Sequence, residues 1–307
     1  KKPALMIGNL LRPEIKELIE ARNFAALREF VKELSPADVA EIVRDLPDHD
    51  QAVVFRLIPN AKAADVFEYL EPEAQHEMLK AMGSMEAAAI LNEMSPDDRT
   101  ALLEELPGSV VVQMLQLLSP EERTVAQSLL GYPERSVGRL MTTDFVNVRA
   151  DRTISEVLDY IRAHGNDSET LNVIYVTDED GRLIDDVRIR EFLLHPVNTL
   201  VRDIHDASFI ALNANDPEES AIETFKKYDR NTLPVVDSAG KLLGIVTVDD
   251  ILDVQEQETT EDIQKIGGVE ALEEPYITAP LVELVRKRAP WLVILFVGEM
   301  MTAIAGG

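Results

Sequence analysis

The sequence predicts a multidomain chain. An all-α solenoid of short helices should occupy residues 1–135, followed by two copies of an α/β unit at 136–200 and 201–254. A linking helix is expected over 255–285, and the start of a membrane-spanning helix over 286–307. Three observations predict this. Prolines break the first part into short amphipathic segments. From Met141 onward short β-branched runs alternate with helical segments, in one order used twice. At the end, Trp291–Gly307 carries a single charged residue, Glu299.

The first part is punctuated by Pro36, Pro47, Pro59, Pro72, Pro96, Pro107 and Pro120. "LSPADVAEIVRDLP" at 34–47 returns as "MSPDDRTALLEELP" at 94–107, with variants at 70–83 and 118–131. Ser35, Ser95 and Ser119 suit N-caps, because a serine oxygen can accept from the free N–H groups of a first turn, and proline follows at the first helical position. Helices this short are marginal alone and must stack to bury their apolar faces.

The second part is a duplication. "FVNV", "LNVIYV", "SFIAL", "TLPVV" and "KLLGIVTV" read as strands, and "TISEVLDYIRAH" and "PEESAIETFKKYD" as amphipathic helices. "DEDG" and "DSAG" fall where a hairpin turn is required. Each copy closes on a helix, "RIREFLL" or "VDDILDVQEQ".

The net charge is −26. A nucleic-acid partner is therefore not expected, since a polyanion needs a basic surface, whereas cations suit such a chain. With no cysteine there is neither a disulfide framework nor a thiolate metal site. The histidines His49, His76, His164, His195 and His205 show no zinc-ligand spacing. The segment from Trp291 falls just short of the roughly 20 apolar residues that span a bilayer, and Arg286, Lys287 and Arg288 precede it as a cytoplasmic flank would. It reads as a first transmembrane helix cut off by the end of the chain, with residues 1–285 cytoplasmic and the full protein in the cell inner (plasma) membrane. A buried C-terminal helix is the alternative. An acid within a membrane is expensive, but packing in a bundle or an interfacial position accounts for Glu299 equally well.

Acids concentrate before that segment. Asp249, Asp250, Asp253, Glu256, Glu258, Glu261 and Asp262 follow one another with no base until Lys265. Asp250 and Asp253 share a helix face, as do Glu258, Glu261 and Asp262, and like charges at such spacing repel by about a few tenths of a kcal/mol per pair. A divalent cation between such faces reverses the sign. Mg²⁺ takes oxygen ligands in octahedral geometry and keeps several waters, so one or two carboxylates from each element suffice.

"LPVVDSAGKLLGIVTVDDIL" at 233–252 resembles the CBS (cystathionine-β-synthase) domain, which normally comes in pairs. The whole order is more specific. A helical part with "AKAADVFEYL" and "RLMTTDFV", a CBS pair, "VTVDDILDV" with "TEDIQKIGGVE", then "WLVIL" resembles the MgtE family of magnesium channels and transporters over essentially the full chain. The resemblance implies a homodimer associating through its CBS domains, Mg²⁺ as ligand, and a plug helix that closes the pore when Mg²⁺ is high. By position it implies metal ligation by Asp65, Asp97 and, beside it, Asp98 in the helical domain, facing Asp250 across an ion. It adds Glu219, the carbonyl of Lys226, and Asp229 in the second copy. The acids Asp253, Glu258, Glu261 and Asp262 complete the expected set, with Glu256 as solvated surface. Two positions depart from the family pattern: Ala101 stands where a carboxylate is expected, with Glu104 or Glu105 as substitutes, and Pro217 stands where another is, beside Asp216. For Asp97 and Asp98, capping of a helix start competes with ligation.

CBS pairs often bind adenine nucleotides, and ATP binding is known in parts of the family, which leaves ATP open as a second ligand. The Thr-x-x-Asp ribose signature survives as Thr247 and Asp250, and Arg190 and Lys241 are candidates for phosphates. The first copy has Arg188 and Glu191 instead, and "LIDDVRI" lacks the usual glycine. An Asp250 that serves a metal is not free to serve a ribose. The rival readings are a nucleotide-sensing CBS module of another transporter and a helical scaffold. An enzyme is not expected, because the sequence holds no nucleophile–base pair, glycine-rich phosphate loop or catalytic metal motif.

Overall fold

From residue 36 onward the helical part keeps a step of twelve residues. The computed structural model describes residues 7–44, 46–70, 72–204 and 206–266. After α1 (Ile7–Glu20) and α2 (Phe24–Glu33) come α3 (Pro36–Arg44), α4 (Asp48–Phe55), α5 (Asn60–Glu68) and α6 (Pro72–Ala81), then α7 (Ser84–Glu93), α8 (Pro96–Glu104), α9 (Gly108–Leu117) and α10 (Pro120–Leu129). The starts at 36, 48, 60, 72, 84, 96, 108 and 120 are evenly spaced. The expected serine caps are present. Ser35, Ser95 and Ser119 Oγ accept from the N–H of Asp38, Asp98 and Glu122 at 3.2, 3.4 and 3.2 Å.

The helices α1, α3, α5, α7 and α9 pack in series, and α8 packs on α10. They share one core, with Val31, Val43, Phe67, Leu91 and Leu103 among its members. Polar side chains close the helix ends inside it. Lys62 Nζ donates to the carbonyls of Val31 (3.0 Å), Lys32 (3.3 Å) and Leu34, and Gln75 Nε2 donates to that of Phe67 at 2.9 Å. The last carbonyls of a helix have no partner within it, so a buried helix end needs such donors.

The chain then passes through α11 (Val137–Leu140) into the first sheet: β1 (Phe145–Arg149), β2 (Thr170–Thr177) and β3 (Leu183–Arg188), with α12 (Ile154–His164) as the crossover and α13 (Ile189–Leu194) at the close. The second sheet is β4 (Leu212–Asn213), β5 (Thr232–Val236) and β6 (Leu242–Thr247), accompanied by α14 (Glu218–Tyr228) and α15 (Val248–Ile266). In each sheet the first pair is parallel and the second antiparallel, so the duplication read from the sequence holds strand for strand.

The hairpin turns lie at "DEDG" and "DSAG". Asp178 Oδ1 accepts from the N–H of Asp180 (2.9 Å) and Arg182 (2.8 Å), and Asp237 Oδ1 accepts from Ala239 and Lys241, both at 2.8 Å. Gly181 and Gly240 take φ of +80° and +81°, a region that side chains avoid. The two turns pair with each other: Leu183 N–H donates to Gly240 O and Leu242 N–H to Gly181 O, both at 3.0 Å.

Two expectations change. The "SFIAL" run forms a strand only at Leu212–Asn213. Just before it, the N–H groups of Asp206 and Ala207 donate to the buried Asp185 carboxylate at 2.8 and 3.1 Å, and that of Ser208 to Asp206 Oδ1 at 2.9 Å. Those donors are taken by side chains rather than by a neighbouring strand, and Ala207 sits at φ +55°. In addition, α15 runs unbroken from Val248 to Ile266, so the boundary placed at 254/255 falls inside one helix. No glycine or proline interrupts it.

The link from the helical part is stitched to the second copy. Val137 N–H donates to Asp216 O at 2.9 Å, Gly138 N–H to Ala214 O at 2.8 Å, and Thr142 exchanges both main-chain bonds with Ile245 at 2.9 and 3.0 Å. A Cβ on Gly138 would lie 2.5 Å from the Tyr132 ring, and one on Gly244 would lie 2.6 Å from Thr142 O.

The described residues divide into two compact units, one running to Glu218 and including Thr232–Thr247, the other holding Glu219–Asn231 and Val248–Ile266. Among the described residues no helix is long and apolar enough to cross a membrane. The expected span at 286–307 lies outside them.

Candidate cation-responsive acidic site

The first turn of α8 carries two of the predicted acids. Ser95 Oγ donates to Asp98 Oδ2 at 2.8 Å while accepting from Asp98 N–H. Ser95 thus caps the helix, and the Asp98 carboxylate holds the capping hydroxyl. Asp97, next to it, is buried, with 8% of its surface exposed. An aspartate in a first turn is favoured by the helix dipole, so capping holds these residues in place whatever else they do. Asp65 stands exposed on α5.

The residue that sequence reasoning missed is Glu68, one turn after Asp65. Its Oε1 accepts from Ser95 N–H at 3.1 Å, tying the end of α5 to the cap of α8. Burial pushes its carboxyl up to about 7; Asp98 adds to the rise, Ser95 opposes it, and Asp65 and Glu169 add further. Helical spacing from Asp65 could have signalled Glu68. Glu169, which comes from the first α/β copy, could not be placed there from sequence.

Basic residues brace this region. Arg99 is wholly buried on α8; its Nη1 donates to Leu91 O at 3.0 Å and Met94 O at 3.2 Å, and its Nη2 pairs with Glu122 of α10. Asp144, just ahead of β1, has its carboxyl raised by partial burial and by Glu122, against the pull of Arg99. Glu104, a candidate substitute where Ala101 departs from the expected pattern, pairs instead with Arg139, whose Nε donates to Tyr132 O at 2.8 Å. Burial still holds the Glu104 carboxyl above its usual range.

In the second unit Glu219, Lys226 and Asp229 lie at the two ends of α14, all exposed. Asp229 takes φ +52° and donates its N–H to Phe225 O at 3.0 Å, ending the helix. On α15, Asp250 is half-buried in the first turn, Asp253 exposed, Glu258 half-buried and Glu256 exposed. Glu261 and Asp262 belong to the same helix, but their side chains lie outside the described residues. Among the described residues no group of three or more His, Cys, Asp or Glu side chains is gathered tightly enough to hold a metal ion. Mg²⁺ needs no such cage, because it accepts one or two carboxylates and keeps its waters.

For a nucleotide, Thr247 is buried at the end of β6. Arg190 is exposed and engaged with its neighbour Glu191 at 2.9 Å. Lys241 lays its aliphatic stem within 3.4 Å of where a side chain on Gly181 would begin. Asp185, in place of the first copy's glycine, spends its carboxylate on the N–H groups of Asp186, Asp206 and Ala207.

Comparison with known proteins follows the same division. Residues 34–135 match the MgtE intracellular N domain, and residues 137–197 and 201–256 each match the CBS domain. The magnesium transporter MgtE of Thermus thermophilus is 40% identical over 181 residues, which is 59% of this chain and 40% of that protein. The magnesium transporter MgtE of Enterococcus faecalis is 32% identical over 177 residues, 58% of this chain and 38% of that protein. The matched stretch therefore spans about 40% of the length of these curated relatives. Among solved structures, the cytosolic domain of the Mg²⁺ channel MgtE in complex with ATP shares 35% identity at a TM-score of 0.76, covering 80% of this chain and 100% of that one. The soluble part of a magnesium transporter shares 28% identity at a TM-score of 0.76, covering 82% and 99%.

Proposed function

The chain belongs to the MgtE family, and we propose that it is the Mg²⁺-sensing and gating region of a magnesium transporter. The observation that carries this reading is the gathering of Asp98, Asp65 and Glu169 about the partly buried Glu68, whose carboxyl is raised to about 7 by burial first and then by these acids. When bound, Mg²⁺ supplies positive charge and octahedral coordination that turn mutual repulsion of carboxylates into attraction.

The protein's part is to present oxygens. Asp65, Asp97 and Asp98 present them from α5 and α8, and Glu219, the Lys226 carbonyl and Asp229 from the ends of α14. Asp250 and Asp253 present them from the first turns of α15, and Glu258, Glu261 and Asp262 from its later turns. Without a cation these acidic faces repel and the domains separate. With cations they are held together, and the plug helix, of which α15 is the beginning, stays over the pore. Several weak sites acting on one two-state element give a steep response. Moving a 1:99 equilibrium to 99:1 takes about 5.5 kcal/mol of differential binding, or roughly 1.4 kcal/mol at each of four sites.

In the complete protein we place this region on the cytoplasmic face of the cell membrane, as a dimer joined through its CBS copies. Small-angle scattering with and without millimolar Mg²⁺ at matched ionic strength tests the reading. The expected result is a smaller radius of gyration with Mg²⁺, and an unchanged radius sinks it.

A second reading, nucleotide sensing, is favoured by one observation: a relative of known structure was solved in complex with ATP. Titration of ATP against this chain separates the two, since nucleotide sensing requires ATP-dependent protection from protease in the absence of Mg²⁺.

A further inference from the structure

Arg99 and Arg123 occupy the same place in their helices, two twelve-residue steps apart. Each follows an N-cap serine, a proline and two acids. Each closes the end of the preceding helix. Arg123 Nε donates to Leu115 O at 2.7 Å, and its Nη2 to Gln116 O at 3.1 Å and Leu118 O at 3.0 Å. Arg99 does the same at Leu91 and Met94.

The difference lies beyond the cap. Among the described residues the hydrogen bonds of Arg123 all go to carbonyls. Arg99 spends only one nitrogen on carbonyls and reaches Glu122 on the next helix but one with another. Its charge also acts on Asp144 at the start of the first CBS copy, where Glu122 acts with the opposite sign. Arg99 follows Asp97 and Asp98 by two and one residues. Capping alone needs none of the carboxylate partners, as Arg123 demonstrates.

We propose that Arg99 is a positioning residue that couples the acid-bearing first turn of α8 to α10 through its ion pair with Glu122, and thereby to Asp144 at the start of the first CBS copy. Cation uptake at Asp97 and Asp98 is thereby felt at Glu122 and Asp144. The inference rests on the Mg²⁺-sensing reading and adds to it the residue that carries the effect away from the acids. The guanidinium suits this because its rigid fork addresses several acceptors in fixed directions, which a lysine ammonium does not.

The test uses the full chain and two readouts: the melting temperature in EDTA, and the Mg²⁺ midpoint for protection from protease. The variants are Arg99→Lys, Arg123→Lys, Glu122→Gln and the double variant Arg99→Lys with Glu122→Gln. Arg123→Lys should lower the melting temperature and leave the midpoint in place. Arg99→Lys should raise the midpoint about three- to tenfold, the range for one lost hydrogen bond of ordinary net strength. Glu122→Gln is half-exposed and keeps both Arg99 caps, so it remains informative even where Arg99→Lys does not fold. It should raise the midpoint with little change in melting temperature, and the double variant should add nothing to Arg99→Lys. A wild-type midpoint that Glu122→Gln leaves unchanged, or that Arg99→Lys moves no further than Arg123→Lys, overturns this inference alone. A wild-type chain with no midpoint overturns the sensing reading and this inference with it.

Discussion

Glu68 accepts a hydrogen bond from the main-chain N–H of Ser95 at 3.1 Å, so the C-terminal end of α5 is fastened to the start of the helix that carries Asp97 and Asp98. The bond favours the charged carboxylate, but burial, with Asp98 beside it, outweighs that and makes Glu68 hold its proton more tightly.

That gives a pH prediction. The Glu68 carboxyl rises from 4.5 to about 7 on folding, so the folded state binds this proton more strongly than the unfolded chain. The stability it contributes is full below pH 4.5 and is lost as pH rises through about 7. Glu68→Gln keeps the acceptor for Ser95 and removes the titration. In EDTA it should be more stable than wild type at pH 8, by about 1 kcal/mol after allowance for solvent, with a flatter dependence between pH 4.5 and 7. Urea unfolding followed by circular dichroism across that range measures both. A steeper slope in the variant would contradict the assignment.

On α15 the acids should act in graded fashion. Asp250→Ala should raise the Mg²⁺ concentration required for protection by about tenfold, and adding Glu258→Ala should raise it further. Glu256→Ala, at an exposed position, should do little. Equal shifts for Glu256→Ala and Asp250→Ala would mean that bulk acidity, rather than placed ligands, sets the response.

Gly138→Ala should destabilise the chain by about 1–3 kcal/mol. The new Cβ would stand 2.5 Å from the Tyr132 ring and 2.9 Å from Ala214 O, so the link between the helical part and the second copy has to yield. Denaturant midpoints of the variant and of Gly83→Ala, where a Cβ meets nothing within 4 Å, make the comparison.

The α13 helix exposes Leu193 and Leu194, at 66% and 77%, with Val197 just beyond at 52%. Burial of such side chains against another copy is favourable by about 25 cal/mol per Å². Leu194→Arg is expected to turn a dimer into a monomer in sedimentation velocity at micromolar concentration. Removal of residues 1–135 should leave the dimer intact.

Much of the architecture was written in local signals. The Ser-Pro starts at 35, 95 and 119, and the turns at "DEDG" and "DSAG", each carry their own mechanism, a hydroxyl or carboxylate that accepts from nearby N–H groups. Such contacts span a few residues, so they can be read from a few residues. The "SFIAL" run is a strand only at its end, and the segment just ahead of it is held by Asp185, more than 20 residues earlier, which takes the N–H groups of Asp206 and Ala207. The roles of Glu68 and Arg99 are hidden from the sequence for the same reason. Their partners Glu169, Glu122 and Asp144 come together only when the helices stack and the first copy folds against them.

The twelve-residue step has a further consequence for how such a chain can change length. A turn of α-helix takes 3.6 residues, so inserting a single residue within one of these helices would swing everything after it by about 100° and present the wrong face to the core. Insertion or loss of 24 residues would instead restore phase. It would return an apolar face to its neighbour and, as between Ser95 and Ser119 and between Arg99 and Arg123, a serine to a cap and an arginine to a helix end. The stack is therefore quantised: it tolerates whole modules and resists fractions, and its distance from first helix to last can be reset only in those increments.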